Sequence, residues 1–74
     1  MKFPIIDKEK TGGNIKSLCE KRGFTVRYLQ HVLHIGASQT VYYWFNGHSL
    51  PSIETLLALS VLLDVSIYDI LVLE

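Results

Sequence analysis

Breakers of the helical pattern punctuate this chain at short intervals. Gly23, Gly36, Asn46-Gly47 and Pro51 divide its middle into segments of about ten residues. Each segment carries apolar residues near a 3.6-residue period, and none sustains the alternation of a strand. Helices this short are marginal alone in water, so they have to bury their apolar stripes against one another. The expected product is an all-α domain of five short helices with an extended N-terminal arm.

The arm is expected over residues 1–10, packed on the domain of residues 11–74, because Pro4 pushes Phe3 out of the helical region. Thr11 is expected to cap a first helix over roughly Gly12 to Arg22, with Ile15, Leu18 and Cys19 on one face and Gly23 as the stop. Thr25 caps a second helix through about Leu33, with Leu29, Val32 and Leu33 inward and Arg27, Gln30 and His31 outward. A tight turn centred on Gly36 follows. The third helix opens at Ser38 or Ala37 and runs to Phe45, where Asn46-Gly47 closes it. Pro51-Ser52 starts a fourth helix to about Leu63. Its Ile53, Leu56, Leu57, Leu59, Leu62 and Leu63 form a wide apolar stripe expected at the centre of the core. Ser66, with Asp69 three residues on, makes a capping-box start for a last helix through Leu71 or Val72.

Length and composition bound the function. A chain of 74 residues that is 49% hydrophobic supports one folded domain, and its apolar excess suits a dimer contact. Cys19 is the only cysteine, which excludes an internal disulfide and points to the reducing cytoplasm. Charges throughout the opening residues leave no apolar stretch for a secretory signal, and the run Leu56 to Leu63 is too short to cross a bilayer. The formal charge is zero but unevenly spread. All seven basic residues precede position 28, against three acids there, a balance of +4; the remainder carries four acids and no Lys or Arg. A basic field toward phosphates can therefore come only from the N-terminal third.

Two short helices joined by a turn containing Gly36 match the helix-turn-helix arrangement over about residues 25–45, in which the second helix enters a DNA major groove. At 100° per residue, Val41, Trp44 and Phe45 fall on one side of that helix. Gln39, Tyr43 and Asn46 line the other, flanked by Thr40 and Tyr42. Gln39 is the expected base reader, since a glutamine amide pairs with adenine N6 and N7. Ser38 and Thr40 can make short contacts near the helix start. Tyr42 and Tyr43 can donate hydroxyls to phosphates, and Asn46 and His48 lie where the backbone would pass. Lys16, Lys21, Arg22 and Arg27 form either a collar for flanking phosphates or an ordinary solvated face.

These residues resemble a family. Gly13-Asn14-Ile15 with Leu18, Arg22-Gly23-Phe24-Thr25-Val26, Leu29-Gln30, the run Ser38 to Trp44, the segment Gly47 to Leu56 and Leu63-Asp64-Val65-Ser66 are similar to the Cro and phage-repressor (XRE-like) type of helix-turn-helix regulator. So is the opening Phe3-Pro4-Ile5-Ile6-Asp7. The resemblance implies a compact five-helix fold, with Ser38, Gln39, Thr40 and Tyr43 toward bases. It puts Thr25, Asn46 and the loop at His48 to Ser49 toward phosphates. Val26 stands where relatives commonly carry Gln, and Tyr43 where they carry Lys or Arg.

The expected function is sequence-specific DNA binding in transcription regulation, as a homodimer on double-stranded DNA. The C-terminal Ile67, Tyr68, Ile70, Leu71, Val72 and Leu73 are the expected dimer surface. The alternative is a protein-interaction module, such as an antitoxin or docking domain, motivated by the uncharged recognition helix. Of His31, His34 and His48, the first two stand three apart but have no carboxylate or third ligand nearby in sequence, and no activated nucleophile or phosphate loop is present. No cofactor, metal, small-molecule ligand, membrane association or enzymatic activity is therefore expected.

Overall fold

Four of the five helices begin where a short polar side chain accepts a hydrogen bond from the first turn. In the computed structural model, which describes residues 1–74, Asp7 caps α1 (Lys8–Lys21) and Thr25 caps α2 (Val26–Val32). Ser52 caps α4 (Ile53–Leu63), and Ser66 caps α5 (Ile67–Ile70). Each cap satisfies one amide that the helix itself leaves unpaired, a contribution of about 1 kcal/mol. Ser66 and Asp69 form the full reciprocal box, with both bonds at 3.1 Å. The remaining helix, α3 (Ser38–Phe45), starts from Ala37 and has no side-chain cap.

The first four helices end by one device. Gly23 follows α1 with φ 74°, and the amide of Phe24 reaches back to the carbonyl of Cys19 at 2.9 Å. His34, Gly47 and Asp64 take the same left-handed conformation after α2, α3 and α4, with returning bonds from Ile35 to Gln30, His48 to Tyr43 and Val65 to Ser60. These are Schellman closures. The turn between α2 and α3 is thus built on His34 at φ 56°, not centred on Gly36 as expected. Histidine is among the side chains that tolerate this region.

Two expectations fail at the ends of the chain. The first helix begins at Lys8, one turn earlier than expected, and Thr11 is not its cap. Asp7 takes that role, accepting from the Lys10 amide at 2.9 Å. Thr11 is fully buried in the second turn, where its Oγ1 accepts from the Val72 amide at 2.9 Å. The last helix stops at Ile70, short of Leu71, because the following residues turn extended and pair with the arm. Ile6 and Leu73 form an isolated antiparallel bridge, flanked by bonds from the Asp7 amide to Val72 and from the Glu74 amide to Ile5, both 2.8 Å. Asn14 reinforces this closure by donating to the carbonyls of Asp69 and Ile70.

The core is made by Ile15 and Cys19 of α1, Leu29 of α2, Val41 and Trp44 of α3, Leu59 and Leu63 of α4 and Ile70 of α5. It draws on every helix, so α4 is not its centre. Of the expected α4 stripe, Ile53 and Leu57 face solvent, as does Val61. Apolar residues cover nearly the whole circumference of α4, and only one side can meet its neighbours. α1 crosses α3 closely at the buried Gly12, where a Cβ would overlap the carbonyl oxygen of Trp44. No helix is long and apolar enough to cross a membrane.

Candidate nucleic-acid interface

α3 turns two chemically different sides to its surroundings. Val41 is fully buried and Trp44 nearly so, while Ser38, Gln39, Thr40, Tyr42 and Tyr43 are exposed. The apolar side chains sit three apart and fix the helix on the domain, so the polar residues between them face outward. Because Ala37 offers no side-chain oxygen, the first amides of α3 are also left without a side-chain partner.

The outward edge has internal order. Gln39 Nε2 donates to Tyr43 Oη at 2.8 Å. The Tyr43 ring meets the His48 ring edge-on, with centroids 5.5 Å apart and planes at 70°. His48 is brought there by its own backbone, since the amides of His48 and Ser49 both return to the carbonyl of Tyr43. Asn46 and His48 are exposed and Ser49 is half-buried.

A second group lies at the junction of α1, α2 and α3. Thr25, Tyr42 and Asn46 line one groove of about 440 Å³, together with the exposed Lys16 and Glu20 and the half-buried Phe24, Val26 and Phe45. Thr25 Oγ1 accepts from the Tyr28 amide at 3.1 Å and keeps its own proton to donate. Tyr42 packs edge-on against Phe45, which leaves its ring half exposed. Three residues that the sequence assigned separately to phosphate thus share one concavity, beside a lysine. Lys16 is the basic residue that lines this groove, a placement that follows from the α1–α3 crossing and carries no local signal in the sequence.

The basic residues divide. Lys21, Arg22 and Arg27 are all exposed. Arg22 also donates to the carbonyl of Leu63 at 3.0 Å, with its guanidinium 5.5 Å from the centroid of the Phe24 ring. It therefore closes the end of α4, where a cation also complements the helix dipole. Among the histidines, His34 forms the turn, His48 braces Tyr43 and His31 is exposed on α2. Cys19 is buried among apolar neighbours, and burial pushes its thiol up to about 11.

A family model described as helix-turn-helix matches residues 15–70, more than half of the chain. Among solved structures, the crystal structure of the DNA-binding domain of BldD is similar, with a TM-score of 0.72 at 12% sequence identity. That likeness covers 88% of this chain and 93% of the other. No curated protein sequence matches. At such low identity the structural likeness establishes the fold alone, and it agrees with the all-helical architecture. The family match takes in α2, the turn at His34, α3 and the helices that hold them, so the chain belongs to the XRE-type helix-turn-helix family, a family of DNA-binding domains.

Proposed function

We propose that this protein is a sequence-specific DNA-binding transcriptional regulator that lays α3 in the major groove. The observation that carries the reading is the exposed, uncharged polar edge of Ser38, Gln39, Thr40 and Tyr43 on a helix anchored from behind by Val41 and Trp44. Such an edge offers donors and acceptors in fixed geometry to base edges. Thr25, Arg27, Tyr42, Asn46, His48 and Ser49 take the flanking phosphates, and Lys16 adds charge beside the groove that Thr25, Tyr42 and Asn46 share.

The test is enrichment of bound fragments from a random duplex pool, repeated with Gln39→Ala. The reading expects the variant to select a changed site. Recovery of the same site would remove Gln39 from the base-reading set, and absence of any enrichment by the unaltered protein would end the DNA-binding reading.

The regulator acts as a homodimer on a two-fold symmetric site, with half-sites about one helical turn apart. The exposed Tyr68 and Leu73, with Ile67, Leu71 and Val72 beside them, support this arrangement. Ile70 is not available to such a surface, because it is fully buried in the core. Sedimentation of the protein with and without its selected DNA measures the stoichiometry. The second reading, a protein-interaction module, is favoured by the exposed Ile53, Leu57 and Val61 of α4. Salt separates the two: DNA binding weakens steeply from low to moderate salt, whereas a module without DNA affinity at low salt fits the alternative.

A further inference from the structure

A glutamine at the start of a groove-facing helix is ordinarily a flexible reader. Its amide carries two N–H donors and one carbonyl acceptor, and it can turn either end outward. In this protein one of those donors is already engaged, by Tyr43 Oη one helical turn further on. The outward remainder of Gln39 is then a single N–H beside the carbonyl oxygen. That is the complement of the adenine edge, which offers N7 as acceptor and N6–H as donor. Guanine offers two acceptors and leaves the carbonyl oxygen facing a like group.

The tyrosine is itself held. Its ring rests edge-on against His48, and the loop carrying His48 is tied back to the carbonyl of Tyr43 by two backbone bonds of 2.9 and 3.4 Å. Tyr43 is 43% exposed, so it stands at the surface with one face braced. An order runs outward from the loop: backbone fixes His48, His48 steadies Tyr43, and Tyr43 sets the amide of Gln39.

We infer that Tyr43 is a positioning residue that orients the Gln39 amide for adenine, making the pair, and not Gln39 alone, the determinant of specificity at one base position. The inference rests on the proposed reading that Gln39 faces the bases. Fixing a long side chain before binding removes an ordering cost that would otherwise be met at the interface.

Tyr43→Phe keeps the ring and its contact with His48 and removes only the hydroxyl. The experiment compares the full-length protein, Tyr43→Phe, Gln39→Ala and the double variant by selection from a random duplex pool, followed by titration of the selected site with each base at the position that Gln39→Ala alters. The melting temperature of Tyr43→Phe, expected to match that of the parent, checks the fold. The parent protein prefers adenine there. Tyr43→Phe lowers that preference by about three- to tenfold. In the Gln39→Ala background the second substitution has no further effect at that position.

An unchanged preference in Tyr43→Phe, with Gln39→Ala still altering the site, overturns the inference and leaves the base-reading role of Gln39 intact. Affinity that falls evenly across all sequences makes the hydroxyl a phosphate contact and also overturns it. A preference of the parent for guanine means that the amide faces the other way, and the inference fails on that result as well. If Gln39→Ala selects the parent site, the underlying reading fails whatever Tyr43 does.

Discussion

Gly12→Ala tests whether the close crossing of α1 and α3 holds α3 in place. In a helix interior an alanine is ordinarily favoured over glycine by about 1 kcal/mol. At Gly12 the new methyl would overlap the carbonyl oxygen of Trp44 and approach that of Phe45 to 3.1 Å. Both are backbone atoms of α3 and cannot swing aside as a side chain would. The helices have to separate, at a cost near the upper end of the range for overpacking, about 3 kcal/mol. The net loss is about 2 kcal/mol, a large share of the roughly 4 to 11 kcal/mol that a chain of 74 residues holds. Gly13→Ala is the internal control, since a Cβ there meets nothing within 4 Å. Thermal unfolding followed by circular dichroism should place Gly12→Ala lower by roughly 8 to 16 °C and Gly13→Ala slightly higher than the parent. A Gly12→Ala protein that melts with or above the parent would refute the steric argument.

Three further outcomes follow from single side chains elsewhere in the domain. Thr11→Val preserves shape but leaves the Val72 amide without the 2.9 Å acceptor it now has, which should cost about 1 to 3 kcal/mol and abolish exchange protection at Val72, read by amide hydrogen exchange. Ala37→Ser supplies the missing cap of α3 on a backbone already extended at φ −121° and ψ 129°, so urea unfolding should show a gain of about 1 kcal/mol. Burial raises the Cys19 thiol from 9.0 to about 11, so folding favours its neutral form; above pH 9 the unfolded chain loses a proton that the folded chain retains, and stability falls as the pH rises toward 11. The decline in urea midpoint between pH 8.5 and about 10.5 should be shallower in Cys19→Ala than in the parent.

What the sequence discloses here is what local chemistry decides. Thr25, Ser52 and the Ser66–Asp69 box mark their helices because each cap bonds within three residues of itself. The bounds of α3 and its two sides follow from the spacing of Val41 and Trp44 against Gln39 and Tyr43. The start of α1 is placed one turn late because Asp7 reads as part of the arm, whereas it caps the helix and Gly12 serves the crossing with α3. Thr11 has the composition of a cap, but a partner 61 residues away claims its hydroxyl. His34 carries no turn signal as strong as Gly36, yet it takes the left-handed conformation. On α4 the stripe of leucines is visible, but which side meets the core depends on where α5 and α1 lie. The exposed polar edge was legible; the bond from Gln39 to Tyr43 and the sharing of one groove by Thr25, Tyr42 and Asn46 needed the assembled helices.

The bridge between Ile6 and Leu73 has a kinetic consequence. It and the bonds from Glu74 to Ile5, Asp7 to Val72 and Val72 to Thr11 close loops of more than 60 residues. Loop closure grows costlier with length, whereas α2 and α3 are neighbours along the chain and meet over a short connection. The α2–α3 hairpin therefore assembles early and the terminal clasp closes last. On the way back, the clasp is expected to let go first, which amide exchange at Asp7, Val72 and Glu74 would show as faster than at the core.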